Sequence, residues 1–131
     1  MSLLDSIQGA PLVAALLLGS AAAQETDADE TARLTRGWEA LRAMDCARCH
    51  GRDYTGWVSS SLVAAAREYS RERFESIVLD GIPERGMPGY RSQPVVVSQI
   101  DAIREYLLAR AEKSLPPGRP QLAAGPPPLK N

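Results

Sequence analysis

Two cysteines and the single histidine of the chain lie within five residues, in the sequence Cys46-Ala47-Arg48-Cys49-His50. Cys-x-x-Cys-His is the sequence signature of covalent haem attachment. The two thiols lie one helical turn apart, so each can add to a vinyl group of the same porphyrin, and the next residue brings an imidazole under the iron. The motif therefore predicts one covalently bound haem c, anchored by Cys46 and Cys49, with His50 as an axial ligand of the iron.

Other uses of paired cysteines fit this chain less well. A structural zinc site usually needs four Cys or His ligands, and the chain contains only two Cys and one His. A thioredoxin-like Cys-x-x-Cys lies beside a βαβ pattern, and the sequence has no such pattern. A plain disulfide between the two cysteines remains an alternative, but it would leave the adjacent histidine unexplained.

The second axial position of the iron has few candidate ligands. A second histidine is absent, and both cysteines are used by the porphyrin, so methionine is the principal remaining ligand type. Met1 lies in a predicted leader, and Met44 is too close in sequence to Cys46 to reach the opposite face. Met87 remains, in a Gly-Met-Pro-Gly segment that favours a stiff turn. We predict that Met87 is the sixth ligand; the alternative is that it fills a gap in the core.

These residues resemble those of a small class I bacterial cytochrome c. The likeness covers residues 31–112 and includes the haem motif, Gly51, the Gly-Met-Pro loop and a closing amphipathic helix. It implies an all-α fold of three to five helices around one covalently attached haem, with His50 as the proximal ligand and Met87 as the distal one. In the family, a proline carbonyl accepts a hydrogen bond from the proximal imidazole. Here the matching segment is Ser59-Ser60-Ser61-Leu62, and a serine carbonyl can accept the same bond.

The spacing of apolar residues and caps places helices around the motif. It predicts a helix over Thr31–Met44, shorter helices over Leu62–Arg67 and Ser70–Asp80, and a last helix that begins at Ser98. Between the motif and the second helix, residues 51–61 are predicted to form a loop.

The resemblance also predicts how the first and last helices meet. In the family they cross at a glycine that packs against an aromatic ring, which here would be Gly37 against Tyr106. The alternative is that both are ordinary core positions, because helix crossings use small residues for many reasons. The three valines before Ser98 are interpreted as packing residues rather than as a strand.

Aromatic and arginine side chains near the motif are candidates for contact with the haem propionates or the haem edge. An indole or a phenol can donate a hydrogen bond to a propionate, and a guanidinium can pair with it. Alternatively, the aromatic rings only shield the haem edge from water. The candidates are Arg52, Trp57, Tyr69, Tyr90 and Arg91.

Both ends of the chain lie outside the predicted domain. Residues 1–23 contain an apolar run that ends in Ala21-Ala22-Ala23 and predict a signal peptide cleaved near Ala23, although its start lacks the usual basic residues. The run is shorter than the roughly 20 apolar residues of a membrane helix, so an anchor is the less favoured alternative. Residues 24–30 are predicted to be a flexible N-terminus, and the proline-rich residues 113–131 a disordered tail.

Composition and motif together point to an electron carrier without substrate turnover of its own. With 15 basic and 16 acidic residues, the chain shows no bias towards nucleic acid. We expect a periplasmic carrier that takes single electrons from a dehydrogenase and passes them to a cytochrome or oxidase. The resemblance favours a quinoprotein alcohol dehydrogenase as donor, and no stable membrane span is expected. The alternatives are a haem-containing subunit of a larger oxidoreductase complex and a haem redox or gas sensor.

Overall fold

The computed structural model describes residues 12–121, with side chains from residue 26 onward. Five α-helices and one 3₁₀ turn form the regular structure of this region, together with an isolated bridge between Ile82 and Met87. The helices are α1 (Leu12–Ala43), α2 (Ala47–His50), α3 (Leu62–Glu68), α4 (Arg71–Asp80) and α5 (Pro94–Ala111), and the 3₁₀ turn is Pro83–Arg85. The predicted all-α class is confirmed.

The two middle helices begin at serine caps, close to their predicted bounds. Ser61 Oγ accepts a hydrogen bond of 3.0 Å from the Ala64 N–H at the start of α3. Ser70 Oγ accepts one of 3.2 Å from the Arg73 N–H at the start of α4. These bonds satisfy N–H groups that the first turn of a helix leaves unpaired. Gly81, with φ of 74°, ends α4 as predicted.

The last helix begins earlier than the sequence pattern predicted. Pro94 lies in its first turn, where a missing N–H breaks no helical bond, and the Val97 N–H donates to the Gln93 carbonyl at 3.1 Å. The valines interpreted as packing residues therefore belong to α5, and Val96 is buried. Ser98 lies inside the helix, because the proline upstream provides the start.

The first helix also begins earlier than predicted. α1 starts at Leu12 instead of Thr31, so residues 24–30, predicted to be flexible, have helical backbone. The side chains of residues 26–30 are exposed. Core packing therefore does not explain this part of the helix.

The helices α1 and α5 cross at Gly37. A Cβ atom on Gly37 would lie 2.1 Å from the carbonyl oxygen of Ala102 and 2.8 Å from the nitrogen of Ile103. Distances this short are forbidden to a side chain, so the crossing requires glycine. The predicted crossing is confirmed, but the atoms nearest to Gly37 belong to the α5 backbone, one helical turn before the ring of Tyr106.

Replacing Gly37 with alanine should destabilise the protein by about 1–3 kcal/mol, the usual cost of overpacking. Helix propensity alone would stabilise the same variant by about 1 kcal/mol. A fall in the free energy of unfolding therefore identifies overpacking at the crossing, and a rise identifies propensity. Ala32, exposed on the same helix, provides the control, since Ala32→Gly should cost about 1 kcal/mol through propensity. Urea unfolding of the holoproteins measures both changes. A Gly37→Ala protein as stable as the wild type would contradict the crossing.

Residues 113–121 fold back onto the helices. Tyr106 Oη donates a hydrogen bond of 3.0 Å to the Gly118 carbonyl, and the Arg119 guanidinium lies 5.8 Å from the centre of the Trp38 ring. The structure therefore differs from the predicted disordered tail in this stretch, because side chains of α1 and α5 hold it.

Parts of two predicted segments lie outside the described residues. These parts are residues 1–11 of the predicted signal peptide and residues 122–131 of the predicted tail. The second range includes the three consecutive prolines. Among the described residues, no helix has both the length and the apolar character needed to cross a bilayer.

Candidate haem site

The haem motif forms one helical turn after α1. Cys46 caps α2, and its carbonyl accepts the N–H of His50 at 3.0 Å. Because residues three apart share a helix face, this turn brings Cys46 and Cys49 to the same side. No disulfide joins Cys46 to Cys49, which differs from the disulfide alternative.

The imidazole of His50 is oriented by the loop that follows the motif. Its Nδ1 lies 2.7 Å from the Ser60 carbonyl oxygen. A carbonyl can only accept, so Nδ1 carries the proton and Nε2 keeps a lone pair for a metal. The resemblance pointed to this contact, and the serine carbonyl makes it without proline.

A cavity of about 420 Å³ lies between the motif and the segment that carries Met87. Its volume falls within the range of about 300–1,000 Å³ typical of ligand sites. Its wall includes Cys46, Cys49, His50, Met87 and Tyr90. The apolar remainder comes mainly from Ala40, Leu41, Leu62, Phe74, Val78, Val96, Ile103 and Leu107. An apolar cavity that contains an imidazole, two thiols and a thioether fits a haem c.

The segment with Met87 is held rigidly against the end of α4. The backbones of Ile82 and Met87 exchange two hydrogen bonds, of 2.9 and 3.2 Å. A Cβ atom on Gly89 would lie 2.7 Å from the Asp80 carbonyl oxygen, and one on Gly81 would lie 2.5 Å from the Gly89 nitrogen. Glycine is therefore needed for this close approach, and the segment forms the stiff turn that its sequence predicted.

Burial changes the acidity of two groups in the cavity wall. Loss of contact with water raises the pKa of the Cys46 thiol to about 11, so before haem attachment this thiol is protonated at neutral pH. Loss of contact with water also raises the pKa of Tyr90. Cys49, in contrast, is exposed.

Of the five candidates for contact with the propionates or the haem edge, Tyr90 contributes to the cavity wall. Its backbone N–H donates to the Val78 carbonyl at 3.2 Å, which fixes the residue beside α4. Trp57 lies outside the cavity wall, with 76% of its surface exposed. An aromatic ring this exposed shields little from water.

The other three candidates also lie outside the cavity wall. Arg91 donates to Asp80 at 2.6 Å across the end of α4, and the ring of Tyr69 lies 4.4 Å from the Arg73 guanidinium. Arg52 belongs to a separate cleft beside α1 and the folded-back tail. Their contacts with haem groups stay predictions.

Sequence reasoning missed Tyr54, which joins the loop to two helices. Its backbone has φ of 60°, and its carbonyl accepts the N–H groups of Leu62 and Val63 at 3.0 and 3.2 Å. Its buried ring packs edge-on against Tyr106, with ring centres 6.3 Å apart, and burial raises the pKa of its phenol to about 12. An aromatic residue in a loop was the only sequence signal, and it does not specify such contacts.

An all-α fold that brings a Cys-x-x-Cys-His turn and a methionine to one apolar cavity defines the class of small c-type cytochromes. The chain belongs to the family described as cytochrome c oxidase, cbb3-type, subunit III, whose profile matches residues 32–107. It is therefore a class I c-type cytochrome with one covalently bound haem c, an electron carrier rather than an enzyme.

Two curated relatives and one solved structure resemble this chain. It is 36% identical over 103 residues to cytochrome c55X of Paracoccus denitrificans, covering 74% of this chain and 90% of the relative. It is 27% identical over 107 residues to cytochrome c-555 of Methylococcus capsulatus, covering 81% and 85%. The crystal structure of the c-type cytochrome XoxG from Methylobacterium extorquens AM1 superposes with a TM-score of 0.62 at 26% identity. That match covers 73% of this chain but only 61% of XoxG.

Proposed function

We propose that Cys46 and Cys49 attach the haem through thioether bonds and that His50 and Met87 ligate its iron from opposite sides. One observation carries this assignment: all four side chains contribute to the wall of a single apolar cavity. A haem bound there supplies a centre that gains and loses one electron.

The chain's own residues tune that centre. The Ser60 carbonyl fixes the orientation and tautomer of His50, and the paired backbone bonds with Ile82 hold Met87 in place. A thioether ligand in an apolar, water-poor cavity favours a high reduction potential. With His50 and Met87 as its two protein ligands, the iron of a bound haem would have no position open to a substrate, as transfer of electrons without turnover requires.

We further propose that the protein works in the periplasm, between a dehydrogenase donor and a cytochrome or oxidase acceptor. The apolar leader that ends near Ala23 supports export. The family description, an oxidase subunit, supports an oxidase as acceptor. A quinoprotein alcohol dehydrogenase is the proposed donor, on the likeness of the Gly-Met-Pro-Gly loop and the short middle helices.

The family description also favours a second candidate, a haem subunit of a larger oxidoreductase complex. A free carrier remains our first proposal, because all four side chains proposed to hold the haem come from this one chain.

Stopped-flow kinetics with purified holoprotein test the carrier function. A periplasmic dehydrogenase fraction from the source organism, supplied with an alcohol, should reduce the haem, and respiratory membranes should reoxidise it. Both steps should be first order in each partner. Consumption of peroxide or alcohol by the protein alone would contradict the carrier function. Stoichiometric co-purification with an oxidase would favour the second candidate, a haem subunit of a larger oxidoreductase complex.

A further inference from the structure

Two adjacent apolar side chains project into solvent beside the haem motif. Trp57 and Val58 are 76% and 75% exposed, more than any other large apolar side chain in the described part of the chain. The next most exposed are Val97 and Val95 on α5, at 44% and 37%. A tryptophan this exposed is uncommon, because soluble proteins rarely leave contiguous large apolar side chains in water without a binding role.

Backbone hydrogen bonds fix this pair to the haem motif. The Gly56 N–H donates to the His50 carbonyl at 2.8 Å, and the Ser59 N–H donates to the Cys49 carbonyl at 2.9 Å. The Trp57 N–H donates in turn to the Ser59 carbonyl at 3.0 Å. Two hydrogen bonds therefore connect Cys49, a proposed haem anchor, to the residue that carries the exposed indole.

The base of the indole is also held in place. A Cβ atom on Gly51, the residue directly after the motif, would lie 3.5 Å from the Cβ of Trp57. The backbone of Trp57 therefore lies against the end of the motif, and its side chain is exposed. An indole has only two rotatable side-chain bonds, so it loses little freedom when a partner covers it, which favours binding.

We propose that Trp57 and Val58 form an apolar docking point for a redox protein that presents an apolar pocket, and that one electron crosses this contact. The proposal rests on the carrier function and specifies where the partner binds. A reduced haem held by the motif would supply the electron, and an oxidised metal centre of the partner would accept it. No bond is made or broken and no proton moves. The backbone hydrogen bonds between Cys49, Ser59 and Trp57 provide a direct connection from the motif to this contact.

Charge at this face favours an apolar partner over a charged one. The whole chain carries a formal charge of −1, so it offers little long-range steering. Arg48, in the motif itself, pairs with Asp45 at 3.1 Å, and Arg91 pairs with Asp80 at 2.6 Å. Tryptophan is among the residues that dominate binding energy in interfaces, so the exposed indole offers recognition that does not depend on charge.

The size of the patch matches a brief redox encounter rather than a stable dimer. A tryptophan side chain buries at most about 250 Å², so Trp57 and Val58 together offer a few hundred Å². Stable interfaces bury more than about 1,000 Å², whereas transient redox contacts lie at the lower end of the range. A partner that binds here therefore leaves quickly, as a carrier that serves two proteins requires.

Oxidation of the reduced holoprotein by respiratory membranes of the source organism tests the proposal. Trp57→Ala should lower the second-order rate about 10- to 30-fold, the loss expected for a central interface tryptophan. Trp57→Phe, which keeps an aromatic ring, should retain most of the rate. Val97→Ala removes an exposed apolar side chain away from the motif and is the matched control. Oxidation by hexacyanoferrate, which needs no apolar contact, should be unchanged in all variants.

Adsorption to gold coated with a methyl-terminated thiol monolayer tests the docking point without the natural partner. The adsorbed mass and the interfacial electron-transfer rate should both fall about tenfold in Trp57→Ala and stay unchanged on a carboxylate-terminated surface. Equal values for wild type and Trp57→Ala, or an equal loss in Val97→Ala, would overturn the proposal. A concentration-dependent dimer that Trp57→Ala dissociates would also overturn it, since the occupant would be a second copy. A wild type inert to hexacyanoferrate would instead overturn the carrier function.

Discussion

Replacing Cys46 and Cys49 together with serine should give a chain that carries no covalent haem and folds poorly. A serine hydroxyl does not form the thioether bond with a vinyl group that the proposed attachment needs. Without the haem, the apolar side chains around a cavity of about 420 Å³ lose their packing partner. Lost packing of this kind destabilises a small domain, whose whole stability is only about 5–15 kcal/mol. Visible absorbance of the purified protein measures the haem, and thermal unfolding by circular dichroism measures the fold.

Single replacements provide the controls for this double variant. Cys46→Ser and Cys49→Ser each keep one proposed anchor, so each should retain some covalent haem with an altered spectrum. Ser76→Ala on α4, a residue whose side chain is exposed, should keep full haem content. A double variant with one covalent haem per chain would contradict the assignment of the anchors.

Replacing Met87 with alanine should lower the reduction potential and open the iron to external ligands. Loss of the thioether leaves an open coordination position, which carbon monoxide can occupy in the reduced protein. The potential should fall by about 0.1 V or more, within the span of roughly 0.8 V that axial ligands control. The long-wavelength absorption band of methionine-ligated ferric haem should disappear. Spectroelectrochemical titration with and without carbon monoxide measures all three effects.

Met44 is a matched control for this variant. Met44 also contributes to the cavity wall and is partly buried against the core, so Met44→Ala removes the same side chain from the same cavity. It should lower stability while the potential and the carbon monoxide reactivity stay near wild type. If Met87→Ala leaves the spectrum and potential unchanged, or if Met44→Ala causes the change, Met87 is not the ligand.

The chemistry of this chain could be predicted from sequence because its determinants are local. Cys46, Cys49 and His50 share one helical turn, and that spacing alone specifies haem attachment. The prediction that Met87 is the sixth ligand rests on the composition and on the glycines and proline around it, which are also local signals. The helix caps at Ser61 and Ser70 involve residues only three positions away, which a sequence pattern captures.

The features that sequence reasoning missed depend on contacts between distant segments. Tyr54 packs against Tyr106, and the hydroxyl of the same Tyr106 donates to the carbonyl of Gly118, so residues 113–121 are held by side chains that periodicity does not reveal. The partner of Gly37 is the backbone of Ala102, which depends on the angle between two helices. The exposure of Trp57 likewise follows from how the loop folds onto the motif. The sequence instead made Trp57 a candidate for contact with the haem propionates or the haem edge.

The intact mass of the wild-type protein, made with a haem-attachment system and extracted with acid and acetone, tests the central claim most directly. We predict that the mass exceeds that of the polypeptide by one haem and that a proteolytic peptide containing Cys46 and Cys49 carries the whole increase. A colourless protein with the mass of the polypeptide alone, or haem on any other peptide, would contradict the claim.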